Sequence, residues 1–284
     1  HHDTHTFVVH ANTHHTRVQA FVHTSEMNLF RLAGDMSHLA SILVLLLKIQ
    51  ATKSCAGVSL KTQELYAIVF LTRYLDLFTN FVSLYVEWNR WKGETQNRRS
   101  GTNAVKQRLT AKLASDATDT YCWIFRSYNT IMKLIFIGSA LAIIWLMRRH
   151  KVVRQSYDKS QDTFRYEFLL APCFLLSLVL NNMFTVMEVL WTFSIYLEAV
   201  AILPQMVLLQ RTRNVDNLTG NYVFLLGAYR ALYILNWIYR YYTEPGYRQW
   251  LVWLSGIVQT AVYCDFFYYY IQSWKNNEKL QLPA

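Results

Sequence analysis

Charge is scarce in this chain. Asp, Glu, Lys and Arg make up 16% of its 284 residues while 53% are apolar, against about 25% charged in an ordinary soluble domain. A disordered chain is thereby excluded. Glycine and proline are scarce too, nine and four residues, which excludes collagen-like and linker-rich sequence. The four cysteines, Cys55, Cys122, Cys173 and Cys264, form no CxxC pair, so neither a disulfide scaffold nor a thiolate zinc site is encoded. GxSxG, HExxH and a phosphate-cradling glycine loop are also missing. No catalysis, metal or cofactor is expected.

What the chain does have is base and long apolar runs. Twenty-eight Lys and Arg against eighteen acids give +10, a balance that would suggest nucleic acid if it formed one face. Here the bases stand in short clusters between apolar stretches, the pattern of a polytopic membrane protein with basic loops. About 20 mostly apolar residues cross a bilayer core as a helix, and seven stretches approach that length: 28–49, 62–84, 129–147, 166–182, 186–209, 220–241 and 249–273. The expected fold is an all-α membrane protein of seven transmembrane helices. Lys48, Lys53 and Lys61 flank the first connection, and Arg148, Arg149, Lys151, Arg154, Lys159 and Arg165 crowd the third. Arg211 and Arg213 mark the fifth, and Lys275 and Lys279 the tail. These basic segments share the cytosolic side, which places the amino terminus in the lumen and the tail in the cytosol.

Two segments depart from this pattern. Residues 1–26 hold seven of the nine His at irregular spacing, so they are read as upstream sequence before a start at Met27 rather than as a metal-binding tail. Residues 86–128 hold eight bases and four acids in what should be a luminal connection, and show no clear hydrophobic period. They are read, in preference to a functional luminal loop, as an insertion, of the kind retained intron sequence would leave, in a seven-span domain covering 27–284.

Ionisable groups inside membrane spans are expensive and mark function by default. Arg73 and Asp76 stand three apart, on one face of a helix and within reach of a mutual salt bridge. Arg31 and His38 frame the first span, Glu188 and Glu198 the fifth, Arg230 and Arg240 lie in the sixth, and Asp265 in the seventh. Tyr229, Tyr233 and Trp237 fall on one stripe with Arg240 beside them, and Tyr74 and Trp191 add polar-tipped rings. The composite is a helical bundle around a charged cavity, which means a receptor or a transporter.

The segments MNLFRLAGDMSHLASILVLLLKI, SCAGVSLKTQELYAIVFLTRYLDLFTNFVSLY, DTFRYEFLLAP, EVLWTFSIYLEAVAILPQ, YRALYILNWIYRYY, GIVQTAVYCDFFYYY and the terminal LQLPA strongly resemble the ER lumen protein-retaining receptor, or KDEL receptor, family. The match runs from Met27 to Ala284, interrupted by 86–128. In the family SLY is followed almost directly by Asn-Thr, as Tyr85 would be by Asn129 and Thr130. The resemblance implies two three-helix halves around a linking helix, related to SWEET and PQ-loop transporters, which Pro204-Gln205 fits. It implies a multi-pass protein of the endoplasmic reticulum and Golgi membranes that binds C-terminal Lys/His-Asp-Glu-Leu retrieval signals and returns their bearers by COPI vesicles. No nucleic acid is involved.

By that resemblance Arg73 binds the terminal carboxylate, Arg31 the Glu and Arg240 the Asp. Glu188, Asp76 and Trp191 take the Lys or His, and Tyr74, Tyr233 and Trp237 line the cavity. His38 becomes the pH sensor, coupled to Tyr229 and Glu198, with Arg230 balancing Glu198. Lys279, Leu280, Leu282 and Pro283 form the trafficking tail, although Glu278 stands where the family often has a second Lys. A solute transporter of the SWEET or PQ-loop type is the rival reading.

Overall fold

The structure is a computed structural model that describes residues 28–77, 106–213, 215–245 and 247–282; the expectations for 1–26, for 78–84 at the end of the second span, for 86–105 and for Pro283 lie outside the described residues. Ten helices are formed among them: α1 Leu29–Thr52, α2 Leu60–Arg73, α3 Lys106–Arg149, α4 Lys151–Gln155, α5 Glu167–Val179, α6 Val186–Val200, α7 Leu203–Thr212, α8 Asn217–Thr243, α9 Trp250–Val262 and α10 Cys264–Asn276.

Local chemistry sets several boundaries. Asn28, Ser59 and Thr185 cap α1, α2 and α6 by accepting from the backbone N–H of Arg31, Thr62 and Glu188, each satisfying an amide that the first turn cannot pair. Lys53 closes α1 in the left-handed region at φ 52°. Proline acts twice. Pro172 sits inside α5, and Pro204 stands in the first turn of α7, where its missing N–H costs no ladder bond.

The expected spans are therefore segmented. The fifth is divided after Val200 and resumes at Leu203, and the seventh divides at Tyr263, with α9 and α10 meeting at 44°. Among the described residues three stretches are long and apolar enough to cross a bilayer, Leu29–Thr52, Arg126–Arg149 and Val186–Thr212, and the bent pair α9–α10 makes a fourth if it is one span. α5 is apolar but shorter, with 13 residues. α8 has length in hand at 27 residues, but it carries Arg230 and Arg240. The third helix does not begin near 129. It runs unbroken from Lys106 for 44 residues, so the second half of the atypical segment is helical and continuous with the span.

The bundle is polar within and apolar without. Leu43, Leu47, Ile131, Trp145, Phe168, Leu175 and Ile257 are exposed, while Asp35, His38, Lys48, Gln63, Asp162, Glu198, Gln205, Arg230 and Gln259 are buried. Such a surface suits hydrocarbon rather than water. α1 lies along α8; α2 packs between α6 and α3; α9 touches both α8 and α6. Asn28, the cap of α1, donates to Asn236 late in α8 at 2.6 Å, and Lys48, about one turn before the end of α1, reaches Thr219 at the start of α8. The pair is antiparallel.

One end of the bundle is stitched shut. Ser59 N–H donates to Gln205 Oε1 at 2.8 Å, Gln205 Nε2 to the Gly57 carbonyl at 2.7 Å, and Gln205 N–H to Thr62 Oγ1 at 3.0 Å. The Pro-Gln pair thus joins the first connection to the break between α6 and α7. Beside it Asp162 accepts from Ser59 at 3.0 Å and from Tyr157 at 2.8 Å. Burial and that bond hold the Tyr157 phenol well above its ordinary range. Lys48 donates to the Ala56 carbonyl at 2.7 Å and lies 3.7 Å from Asp216.

The tail folds back onto this end. Val215 N–H donates to the Leu280 carbonyl at 3.2 Å. Leu280 and Leu282 are buried, and Lys279 is exposed.

Candidate ligand-binding cavity

Away from the stitched end a cavity of about 390 Å³ opens between α1, α2, α3, α6, α8 and α9. Helix geometry sets its depth. Along α8, Tyr229, Tyr233, Trp237 and Arg240 all line it, and at 1.5 Å per residue they cover about 16 Å from floor to mouth. Along α1, Arg31, Asp35 and His38 line it from mouth to floor.

Glu198 organises the floor. Its carboxylate lies 2.6 Å from Arg73 and 2.5 Å from Arg230, and accepts from Tyr229 at 2.6 Å. Two guanidinium groups and a phenol therefore converge on one buried carboxylate, the geometry in which an ion pair survives in low dielectric. Two donors remain unmatched: among the described residues Arg73 Nη2 and Arg230 Nε are buried without a hydrogen-bond partner. Above the floor the His38 imidazole is stacked between Tyr229 at 4.3 Å and Phe136 at 4.6 Å, with Phe70 at 5.8 Å. Ser194 Oγ receives from Arg73 Nε at 3.1 Å and donates to the Trp191 carbonyl at 2.5 Å, which ties the guanidinium to α6, whose Trp191 also lines the cavity.

The upper wall is mixed. Asp35 accepts from Tyr233 and, at 3.0 Å, from Tyr128, and Arg31 donates to Asn129 at 3.0 Å. Lys133 stands 5.5 Å over the Tyr74 ring and pairs with Asp76 at 2.6 Å. Arg240 pairs with Glu244 one turn on at 2.8 Å, and Tyr247 stacks over its guanidinium at 4.3 Å. The lining holds five cationic side chains, Arg31, Arg73, Lys133, Arg230 and Arg240, against two carboxylates, Asp35 and Glu198. Asp76 and Glu244 hold two of the cations from just outside that lining. Such a wall is made for an anionic guest. Among the described residues no group of three His, Cys, Asp or Glu is placed to hold a metal.

Eleven of the thirteen residues singled out in the sequence for binding or pH sensing share this one cavity: Arg31, His38, Arg73, Tyr74, Trp191, Glu198, Tyr229, Arg230, Tyr233, Trp237 and Arg240. Two do not. Glu188 is half-buried outside the lining and accepts from Asn182 at 3.0 Å, and Asp76, also outside it, pairs with Lys133 of the wall. The mutual Arg73–Asp76 salt bridge, the structural alternative to a binding role, is not formed. α2 ends at Arg73 and the chain turns at Tyr74, so a spacing of three no longer places the two on one face; Arg73 turns to Glu198 and Asp76 to Lys133. Sequence reasoning passed over Asp35, Asn129, Lys133 and Asn236. Asp35 had a signal, standing four residues after Arg31 and three before His38 on the same stripe.

Comparison with known proteins points the same way. The family model described as ER lumen protein retaining receptor matches residues 54–90 and 108–240; the interval it skips, 91–107, falls inside the atypical segment. An ER lumen protein-retaining receptor of Petunia hybrida is 61% identical over 258 residues, covering 91% of this chain and all of that protein. Receptor B of Arabidopsis thaliana is 60% identical and the Drosophila melanogaster receptor 48%, with the same coverage.

Proposed function

Because the chain belongs to the ER lumen protein-retaining receptor family, we propose that its cavity captures the free C-terminal Lys/His-Asp-Glu-Leu signal of escaped luminal proteins for return to the endoplasmic reticulum. It is a receptor and not an enzyme. One observation carries the ligand assignment: a wall of five cations in which a buried guanidinium nitrogen of Arg73 has no partner among the described residues. A retrieval signal brings three carboxylates within three residues, and guanidinium forks suit carboxylates held out of water.

In this reading the chain terminus descends to Arg73, Arg31 takes the Glu, and Arg240 exchanges Glu244 for the Asp. Trp191 offers its ring face to the Lys or His at the fourth position from the end; Glu188 and Asp76, outside the lining, act at the rim. Seven spans, two three-helix halves and a linking helix complete the arrangement, with the cavity mouth luminal and the stitched end cytosolic. His38 senses acidity through the ring it shares with Tyr229, whose phenol holds Glu198. Protonation in the acidic Golgi favours cargo capture, and a COPI coat reads the cytosolic face, where Lys279 is exposed while Leu280, Leu282 and Pro283 set the tail. The rival solute transporter draws no support from the cavity, since a neutral solute has no use for five cations.

Purified receptor titrated with a His-Asp-Glu-Leu peptide as free acid and as C-terminal amide, at about pH 6 and about pH 7.2, tests the reading across the ordinary His range. The free acid should bind more tightly at the lower pH, and the amide should bind neither time. Equal binding of acid and amide would remove the carboxylate from the model of recognition.

A further inference from the structure

Beside the cavity mouth lies a second hollow, a cleft of about 300 Å³ walled chiefly by Ile238, Tyr241, Tyr247, Gln249, Trp250 and Trp253. Its walls are rings at right angles: Tyr241 meets Trp253 at 6.1 Å and 75°, which leaves ring faces and edges turned toward the space between them. Two residues join cleft to cavity. Gln249 lines both, and Tyr247, a wall of the cleft, lies over Arg240, a wall of the cavity. The Tyr247 hydroxyl is buried with no hydrogen-bond partner among the described residues.

Length decides what can reach it. Four extended residues span at most about 14 Å, close to the roughly 16 Å that α8 covers between Tyr229 and Arg240. A peptide that enters carboxyl end first with its last four residues therefore emerges at the level of Arg240, where the cleft begins. Resting on the retrieval-signal reading above, we propose that the cleft receives the side chain of the residue immediately before the signal and favours an aromatic one. The Tyr247 hydroxyl would meet the emerging peptide backbone, and the ring walls of Tyr241 and Trp253 would flank the side chain. Cargo would then be ranked by a fifth residue that the signal itself does not specify.

Three peptides separate this inference from the reading beneath it: His-Asp-Glu-Leu alone, and acetylated six-residue peptides ending in the same signal with Gly-Gly or Gly-Phe before it. Binding of the bare tetrapeptide tests the reading. The inference is tested by the Phe peptide, which should bind about 5–10-fold more tightly than its Gly counterpart. Trp253→Ala, which hollows the cleft, and Ile238→Trp, which fills it, should each erase that gain while leaving tetrapeptide affinity unchanged; the unchanged affinity also shows that the variants fold. Tetrapeptide binding with no Phe advantage, or an advantage that persists in both variants, would overturn the proposal, whatever else occupies the cleft. Failure of the tetrapeptide to bind would bring down both.

Discussion

Arg73 is the last residue of its helix, and that position gives it two duties: it pairs with Glu198 and still presents an idle nitrogen to the cavity. Arg73→Ala should cost about 3–5 kcal/mol of peptide binding, the penalty for stripping one partner from a buried charge, measured by titration calorimetry. Loss of protein stability should be smaller, because Arg230 continues to hold Glu198. His38 makes a separate demand. An anionic peptide end entering the cavity favours a proton on the imidazole that lines it, so binding should strengthen between about pH 7.2 and about pH 6 in the native receptor, and His38→Ala should bind weakly at both. A variant that keeps the full pH dependence would move the sensor elsewhere. At this scale most of the site was legible, because charges inside apolar runs are rare enough to be read singly. Partner choice was not: the end of α2 turns Arg73 and Asp76 apart, toward Glu198 and Lys133, and the tyrosines that hold Asp35 stand far along the chain.

Among the elements, α9 owes its closeness to α8 to one glycine. A methyl on Gly256 would stand inside the van der Waals envelope of Trp237 Cζ3 and 2.9 Å from Cη2, although the backbone there is ordinary helix. Gly256→Ala should gain helix propensity and still destabilise by about 1–3 kcal/mol through overpacking. It should also weaken peptide binding several-fold, since a displaced Trp237 reshapes the cavity that it lines; thermal melts and titration together check this. The long α3 invites a second test. Joining Tyr85 directly to Asn129, with residues 1–26 removed, puts a tyrosine back immediately before Asn129, where Tyr128 now reaches Asp35. The joined protein should bind peptide as well as the full chain. A well-expressed joined protein without binding would make the extra segment functional. Periodicity found the helices but neither their breaks nor the upstream extension of α3. A hydropathy run does not register the two residues that separate α6 from α7, and polar sequence can be helical without being apolar.

For the whole molecule, the stitched end is as consequential as the open one. Asp162 holds two hydroxyls and sits against the Lys61 amide at 3.5 Å. Asp162→Ala should therefore lower stability by about 3 kcal/mol, because it orphans several buried donors at once, while peptide contacts at the other end stay in place; denaturation in detergent beside a binding assay separates the two. The general architecture, helical and apolar on the outside, was legible from composition, whereas the closure of one end was not: Pro204-Gln205 stood out only as part of the resemblance, and neither the bonds of Gln205 to Ser59, Thr62 and Gly57 nor the role of Asp162 is written in any local pattern. The antiparallel pairing of α1 with α8 also bears on how the chain is made. Asp35 waits for Tyr233, 198 residues downstream, and Lys48 for Thr219, 171 downstream. At about 5–20 residues per second, a ribosome needs roughly 10–40 seconds to close the first gap. Throughout that interval the newborn first helix carries the Asp35 carboxylate and the Lys48 ammonium without their final partners, so a nascent chain that stalls before α8 leaves both charges unmatched.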